Sequence, residues 1–301
     1  MTTVRIRTRG ALDSAGLLTW SVRRQLPGVD RVDDLDGVPR AYTVAVDLPH
    51  GPGTVTLAAD EGAGPGTPGA RVDLDLPRPE DEGPALDAAR RLWDLDADLP
   101  VIESHLSTVP EFADLVRGRP GVRIPGIPTV TEALLRAITG QQVSVESGRT
   151  QLVRLVEAVR AGTAPNATGA CDLAPFPTAA EALRALDTWY RGPRARKQTL
   201  ADALELLSTP SPSGDSATRP EELAQIRGIG PWTLAYIRLR AFGDHDVDLS
   251  GDAALLTSAR RLTSAPTWPH RRVTSRTELA ALLDDARPYR SYAALHLWAA
   301  D

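Results

Sequence analysis

Two short segments combine residue types and spacings that can do chemistry. The first is Leu223-Ala224-Gln225-Ile226 running into Arg227-Gly228-Ile229-Gly230-Pro231-Trp232-Thr233. An apolar helix end, two glycines free to take left-handed dihedrals, and a proline suited to the first turn of a new helix spell a helix-hairpin-helix turn. Backbone N–H groups exposed at such a turn suit a phosphate oxygen and read no sequence. The second segment centres on Asp252, which lies 22 residues after Gly230. A carboxylate at the mouth of a cleft facing the hairpin can stabilise a developing positive charge or orient an attacking water. Both segments have plainer readings. The hairpin could be a Gly-Pro turn between core helices, and Asp252 the N-cap of a helix over 252–262. A calcium loop starting at Asp246 is disfavoured, because Thr257 stands where a bidentate glutamate is needed.

The rest of the composition removes other chemistries. A single cysteine, Cys171, excludes an intramolecular disulfide and a four-cysteine metal site, and five scattered histidines give no metal cluster. No metal and no cofactor are therefore expected. Lys197 is the one lysine, so covalent lysine chemistry has one candidate. The net charge of −5 argues at first sight against a nucleic-acid partner, but it is unevenly spread. Residues 1–100 carry 17 acidic and 11 basic side chains, whereas residues 101–301 carry 22 and 23. No apolar run approaches a membrane span and the N-terminus has no signal-peptide block, so no membrane contact and a cytoplasmic location are expected.

Hydrophobic periodicity supplies the elements that must position these residues. In the first part, a helical pattern at 12–26 sits among alternating stretches at 4–7, 42–48, 54–58 and 72–76, separated by Gly- and Pro-rich clusters. From about residue 84 the pattern becomes helical, with helices expected at 85–95, 130–140, 144–160, 178–190, 195–208, 221–226, 231–242, 252–262, 276–286 and 289–299. The fold class is α+β: a small antiparallel-sheet domain over 1–84, followed by an all-α helix-hairpin-helix domain over 85–301.

Taken together, the hairpin and Asp252 resemble the helix-hairpin-helix DNA glycosylases, and most closely the DNA-3-methyladenine glycosylase II branch. The resemblance runs from residue 90 to 299. It includes Arg119-Pro120-Gly121-Val122-Arg123-Ile124-Pro125-Gly126, Ile138-Thr139-Gly140-Gln141-Gln142-Val143-Ser144-Val145, Arg287-Pro288-Tyr289-Arg290-Ser291-Tyr292 and Leu295-His296-Leu297-Trp298. It implies hydrolysis of the N-glycosidic bond of alkylated purines flipped out of duplex DNA, by a monomer without a cofactor. Asp252 falls on the catalytic aspartate, and Tyr236, Trp298 and Trp232 fall at the base pocket, which Trp20 approaches from the N-terminal domain. Gly228, Ile229, Gly230 and Thr233 fall on the DNA-contacting hairpin. Gln142 falls on the wedge that fills the gap left by the flipped nucleotide. Trp232 stands where strand-cutting relatives carry a lysine, so the resemblance implies no lyase activity. A catalytically silent lesion-binding module, and a glycosylase for deaminated or oxidised purines, are the rival readings.

Overall fold

The computed structural model describes residues 1–60, 68–141, 143–161, 172–209 and 219–299. Gln142 and Cys171 lie outside the described residues, as do most of the Gly- and Ser-rich stretches at 62–69, 161–178 and 208–220.

The first part is a five-stranded antiparallel sheet in the order β1-β5-β4-β3-β2. Its strands are β1 (Thr2–Arg7), β2 (Asp30–Leu35), β3 (Val38–Leu48), β4 (Gly51–Ala59) and β5 (Gly69–Asp75). Apolar side chains at every second position, such as Val44 and Val46 or Val55 and Leu57, point to one buried face. That face is covered by α1 (Ser14–Val22) and α2 (Glu82–Leu92), whose Leu17, Leu18, Ala85, Ala89 and Leu92 complete the core. Periodicity did not reveal β2, because this edge strand carries three aspartates in six residues and exposes most of its positions. The local signal is instead its turn. Asp36 and Gly37 both have positive φ, 53° and 76°, which is the two-residue hairpin geometry that matches strand twist.

The remainder is helical, with no strand among the described residues after β5. α3 (Leu99–Leu106) and α4 (Pro110–Gly118) lie in a stretch where no helix was expected. Both are short and carry proline in the first turn, which starts a helix cleanly but leaves few residues to display a period. They precede α5 (Val130–Thr139), α6 (Val145–Arg160), α7 (Ala179–Arg184), α8 (Leu186–Trp189), α9 (Arg194–Ser208), α10 (Arg219–Leu223), α11 (Pro231–Phe242), α12 (Ala253–Thr263), α13 (Arg276–Asp284) and α14 (Arg290–Ala299). The single helix expected over 178–190 is thus two, α7 and α8.

Two helical cores result. One joins α3, α4, α12, α13 and α14, and the other joins α5 to α10. α11 serves both, giving Ala235 and Leu239 to the first and Ile237 to the second. α1 is a second bridge. Its Leu17 and Leu18 enter the sheet core while Trp20 packs against the second helical core. Three arginines fix the chain just after it: Arg136 donates to the Arg24 carbonyl at 3.0 Å, Arg149 to that of Gln25 at 2.6 Å and Arg160 to that of Gly28 at 2.6 Å. No described helix is long and apolar enough to cross a membrane.

Candidate active site

The hairpin forms between α10 and α11. Of its two glycines only Gly228 uses its freedom, with φ at +96°; Gly230 is extended at −102°, 176° and is the N-cap of α11. A Cβ at Gly228 would run into the Thr199 hydroxyl. That hydroxyl donates to the Arg227 carbonyl at 2.9 Å, so α9 buttresses the turn from behind. Ile229 is buried and ties the hairpin to the second helical core. Pro231 opens α11, and among the described residues no side chain caps its N-terminus. Its first-turn N–H groups therefore have no side-chain acceptor among the described residues. Thr233 is 1% exposed and its hydroxyl accepts from Gln141 Nε2 at 3.1 Å, which docks α11 on the end of α5. Any contact it makes to a ligand would use its backbone.

Asp252 has both carboxylate oxygens engaged. Oδ1 accepts the Leu255 N–H at 2.7 Å, capping α12, and Oδ2 accepts the Trp232 indole N–H at 2.7 Å. The capping role is thus present, and it uses only one oxygen. The second hydrogen bond joins the loop before α12 to the first turn of the hairpin helix, and Asp252 stays partly exposed. Asp246 is occupied elsewhere, paired with Arg290 at 2.7 Å.

The four aromatic residues expected at the base pocket lie in one connected group. Trp232 and Tyr236, one turn apart on α11, have ring centroids 5.7 Å apart. Trp20 arrives on α1 and Trp298 on α14, and both meet the same side chain, Arg240. The Arg240 guanidinium carbon is 5.1 Å from the Trp20 ring centroid, 5.7 Å from that of Tyr236 and 5.8 Å from that of Trp298. Arg240 is 4% exposed, and its Nη1 donates to the Pro125 carbonyl at 3.0 Å. Among the described residues it has no salt-bridge partner. Burial pushes its pKa down to about 10, with Tyr236 and Asp252 pulling the other way and Arg24 adding to the depression. It remains a cation at neutral pH, stabilised by ring faces in place of a carboxylate.

Sequence reasoning passed over Arg240. The usable signal was its spacing, seven and four residues after Thr233 and Tyr236, on the face of α11 that carries the site. The two residues on either side of Gln142, Gln141 and Val143, are partly buried and exposed respectively. Lys197 is on α9, where its ammonium pairs with Asp187. Trp93 and Trp189 are fully buried core residues. His296 is also buried, and burial together with Arg119 holds it neutral down to about pH 4.

An antiparallel sheet ahead of a helical body, with a hairpin-led helix and an N-cap carboxylate facing it, is the fold of the helix-hairpin-helix DNA glycosylases. The 3-methyladenine DNA glycosylase of Archaeoglobus fulgidus superposes with a TM-score of 0.76, over 98% of this chain and 97% of that one, at 16% identity. Residues 3–128 match the family model of the AlkA N-terminal domain. Along its length the chain is 30% identical, over 300 residues, to a Mycobacterium tuberculosis protein named "Probable bifunctional transcriptional activator/DNA repair enzyme AlkA". That match takes in 98% of this chain and 56% of the relative, so the chain spans little more than half the relative's length. Escherichia coli DNA-3-methyladenine glycosylase 2 is 29% identical over 211 residues, 69% of this chain and 68% of that one.

Proposed function

We propose that the chain is a DNA glycosylase of alkylation repair, which hydrolyses the N-glycosidic bond of alkylated purines in duplex DNA. The observation that carries this reading is the Asp252 carboxylate, fixed by two N–H donors from different elements beside a connected group of aromatic rings and the uncapped start of α11. The alkylation-repair names of the relatives support the substrate class.

A glycosidic bond is not reachable inside the duplex, so the target nucleotide is flipped out, at a cost of a few kcal/mol. Backbone N–H groups at Gly228, Gly230 and Thr233 hold a phosphate, while the Ile229 N–H is bonded to the Ile226 carbonyl at 3.1 Å and Ile229 only braces the turn; Gln142 fills the gap in the stack. The flipped base stacks among Trp20, Trp232, Tyr236 and Trp298. An N3- or N7-alkylated purine is cationic and departs with the bonding electron pair without prior protonation. The sugar then becomes oxocarbenium-like, and the Asp252 carboxylate stabilises that charge while water attacks C1′. The water gives up a proton to the carboxylate, leaving a free base and an abasic site. The hairpin helix carries Trp232 where a Schiff-base lysine would stand, and Lys197 is paired elsewhere, so the strand stays intact. Damaged duplex DNA is the partner, and one copy of the chain suffices.

The test is release of bases from methylated duplex DNA by wild type and Asp252→Asn, with strand breaks scored before and after mild alkali. Release by wild type alone, with breaks only after alkali, is expected. Tight DNA binding with no release by either protein would replace this reading with a silent lesion-binding module.

A further inference from the structure

The stretch 191–197 carries four basic side chains, Arg191, Arg194, Arg196 and Lys197, and no acidic one, in a chain whose net charge is −5. It runs into the start of α9, the end at which a helix dipole favours acidic residues, and the first turn of α9 has none. Cations there are unfavourable for the helix itself. Three of the four are occupied locally. Arg191 donates to the Asp187 and Tyr190 carbonyls, both at 3.2 Å, and Lys197 pairs with Asp187. Arg196 lies beside the buried Tyr190 hydroxyl, whose pKa is raised by burial with this guanidinium pulling the other way. Arg194 is exposed, and its guanidinium has no partner among the described residues.

Two sets of contacts fix where Arg194 stands. Further along α9, the Thr199 hydroxyl donates to the Arg227 carbonyl at 2.9 Å and leaves no room for a Cβ at Gly228, so α9 is locked to the hairpin. Just before α9, the Gln151 side chain of α6 accepts the Arg191 N–H at 3.0 Å and donates to the Arg191 carbonyl. α6 opens at Val145, three residues after Gln142 in the sequence. The start of α9 is therefore braced between the hairpin and the helix that follows Gln142. Arg194 precedes Thr199 by five residues, about 7.5 Å along the axis at 1.5 Å per residue. That is about two nucleotide steps of 3.4 Å, the spacing of phosphates that flank one held at the hairpin. Arg227 belongs to the hairpin itself, is exposed, and its guanidinium likewise has no partner among the described residues.

We propose that the Arg194 and Arg227 guanidiniums form a phosphate clamp on duplex DNA, each taking a backbone phosphate next to the one held by the hairpin N–H groups. A guanidinium matches a phosphate with two parallel hydrogen bonds, and such a contact reads neither sequence nor lesion. Bound phosphate also supplies the anion that the start of α9 lacks, which accounts for basic residues at an end unfavourable to them. The clamp rests on the glycosylase reading and extends its DNA interface to α9.

Fluorescence anisotropy over a series of salt concentrations tests it, with undamaged duplex DNA and a duplex carrying a tetrahydrofuran abasic-site analogue. Wild type, Arg194→Gln, Arg227→Gln and Arg7→Gln are compared. Arg7 is an exposed arginine on the edge strand β1 and controls for net charge alone. Loss of one phosphate contact makes the slope of log K against log salt shallower by about 0.9 and weakens binding about five- to tenfold at 0.1 M salt. That change is expected for Arg194→Gln and for Arg227→Gln, equally on both duplexes, with Arg7→Gln like wild type. An unchanged slope in either hairpin-side variant, an equal change in Arg7→Gln, or a loss confined to the abasic duplex overturns the clamp. Each of those outcomes leaves the glycosylase reading intact. Wild type that binds neither duplex removes that reading and the clamp together.

Discussion

The Trp232 indole donates to Asp252 Oδ2 at 2.7 Å and so ties the hairpin helix to the carboxylate that caps α12. One N–H therefore couples the segment suited to phosphate with the segment suited to chemistry at the sugar. A hydrogen bond to a charged group contributes about 1.5–3 kcal/mol. Trp232→Phe keeps the ring stacked near Tyr236 and removes the donor. Base release is expected to fall about 10- to 100-fold in kcat, on the basis of about 1.4 kcal/mol per tenfold. Single-turnover kinetics on methylated duplex DNA check this, and an unchanged rate would show that the tether is dispensable.

Asp252 carries the capping role on Oδ1, so capping and chemistry can be separated by choice of substitution. Asparagine caps about as well as aspartate, whereas alanine loses about 1 kcal/mol of stability. Asp252→Asn should melt close to wild type and Asp252→Ala lower, while both lose base release by about 100-fold or more, the scale for removing a preorganised electrostatic group. Release that tracks the melting temperature, with the asparagine variant active, would leave Asp252 as a cap and nothing else.

Gly228 combines a φ of +96° with close approach to Thr199, so alanine there suffers twice. A left-handed conformation costs an L-residue about 1–2 kcal/mol, and the Thr199 contact adds to it. Gly228→Ala is expected to lower unfolding stability by about 2 kcal/mol or more. Urea titration measures that, and a change below about 0.5 kcal/mol would mean the turn has relaxed into another geometry.

Much of this architecture is legible from residues 130 to 299 in the sequence, because amphipathic helices of ten or more residues show a 3.6-residue period. The segments that escaped are those whose stability is not written in periodicity. β2 is an acidic edge strand, and α3 and α4 are short helices announced by proline. In the site, Asp252 and the hairpin were readable because each is a local motif. The convergence of Trp20, Tyr236 and Trp298 on Arg240 was not, since it joins α1, α11 and α14 across more than 200 residues. A buried arginine in a helix looks like an exposed one until its neighbours are known. Arg238, two residues earlier, is exposed and pairs with Glu221.

Two buried groups titrate against each other in their effect on stability. His296 has its pKa pushed down to about 4 by burial and by Arg119. The unfolded chain takes up a proton at this histidine below about 6.5 while the fold does not, so stability present above that pH is lost as pH falls toward 4. Asp30 has its pKa raised to about 6 by burial, despite hydrogen bonds from the Leu26 N–H and the Tyr42 hydroxyl. Its contribution is full below the unfolded value near 3.8 and is lost as pH rises through 6. Between pH 4 and 6 the two contributions oppose each other. Asp30→Asn leaves His296 unopposed, so its destabilisation should be greater at pH 4.5 than at pH 7, by about 2 kcal/mol from the two pKa values. His296→Gln should show the reverse, costing less at pH 4.5 than at pH 7 by a similar amount. Urea unfolding of both variants and wild type at the two pH values gives the four differences, and Asp30→Asn costing the same at both would show that this carboxyl is already ionised in the fold at pH 4.5.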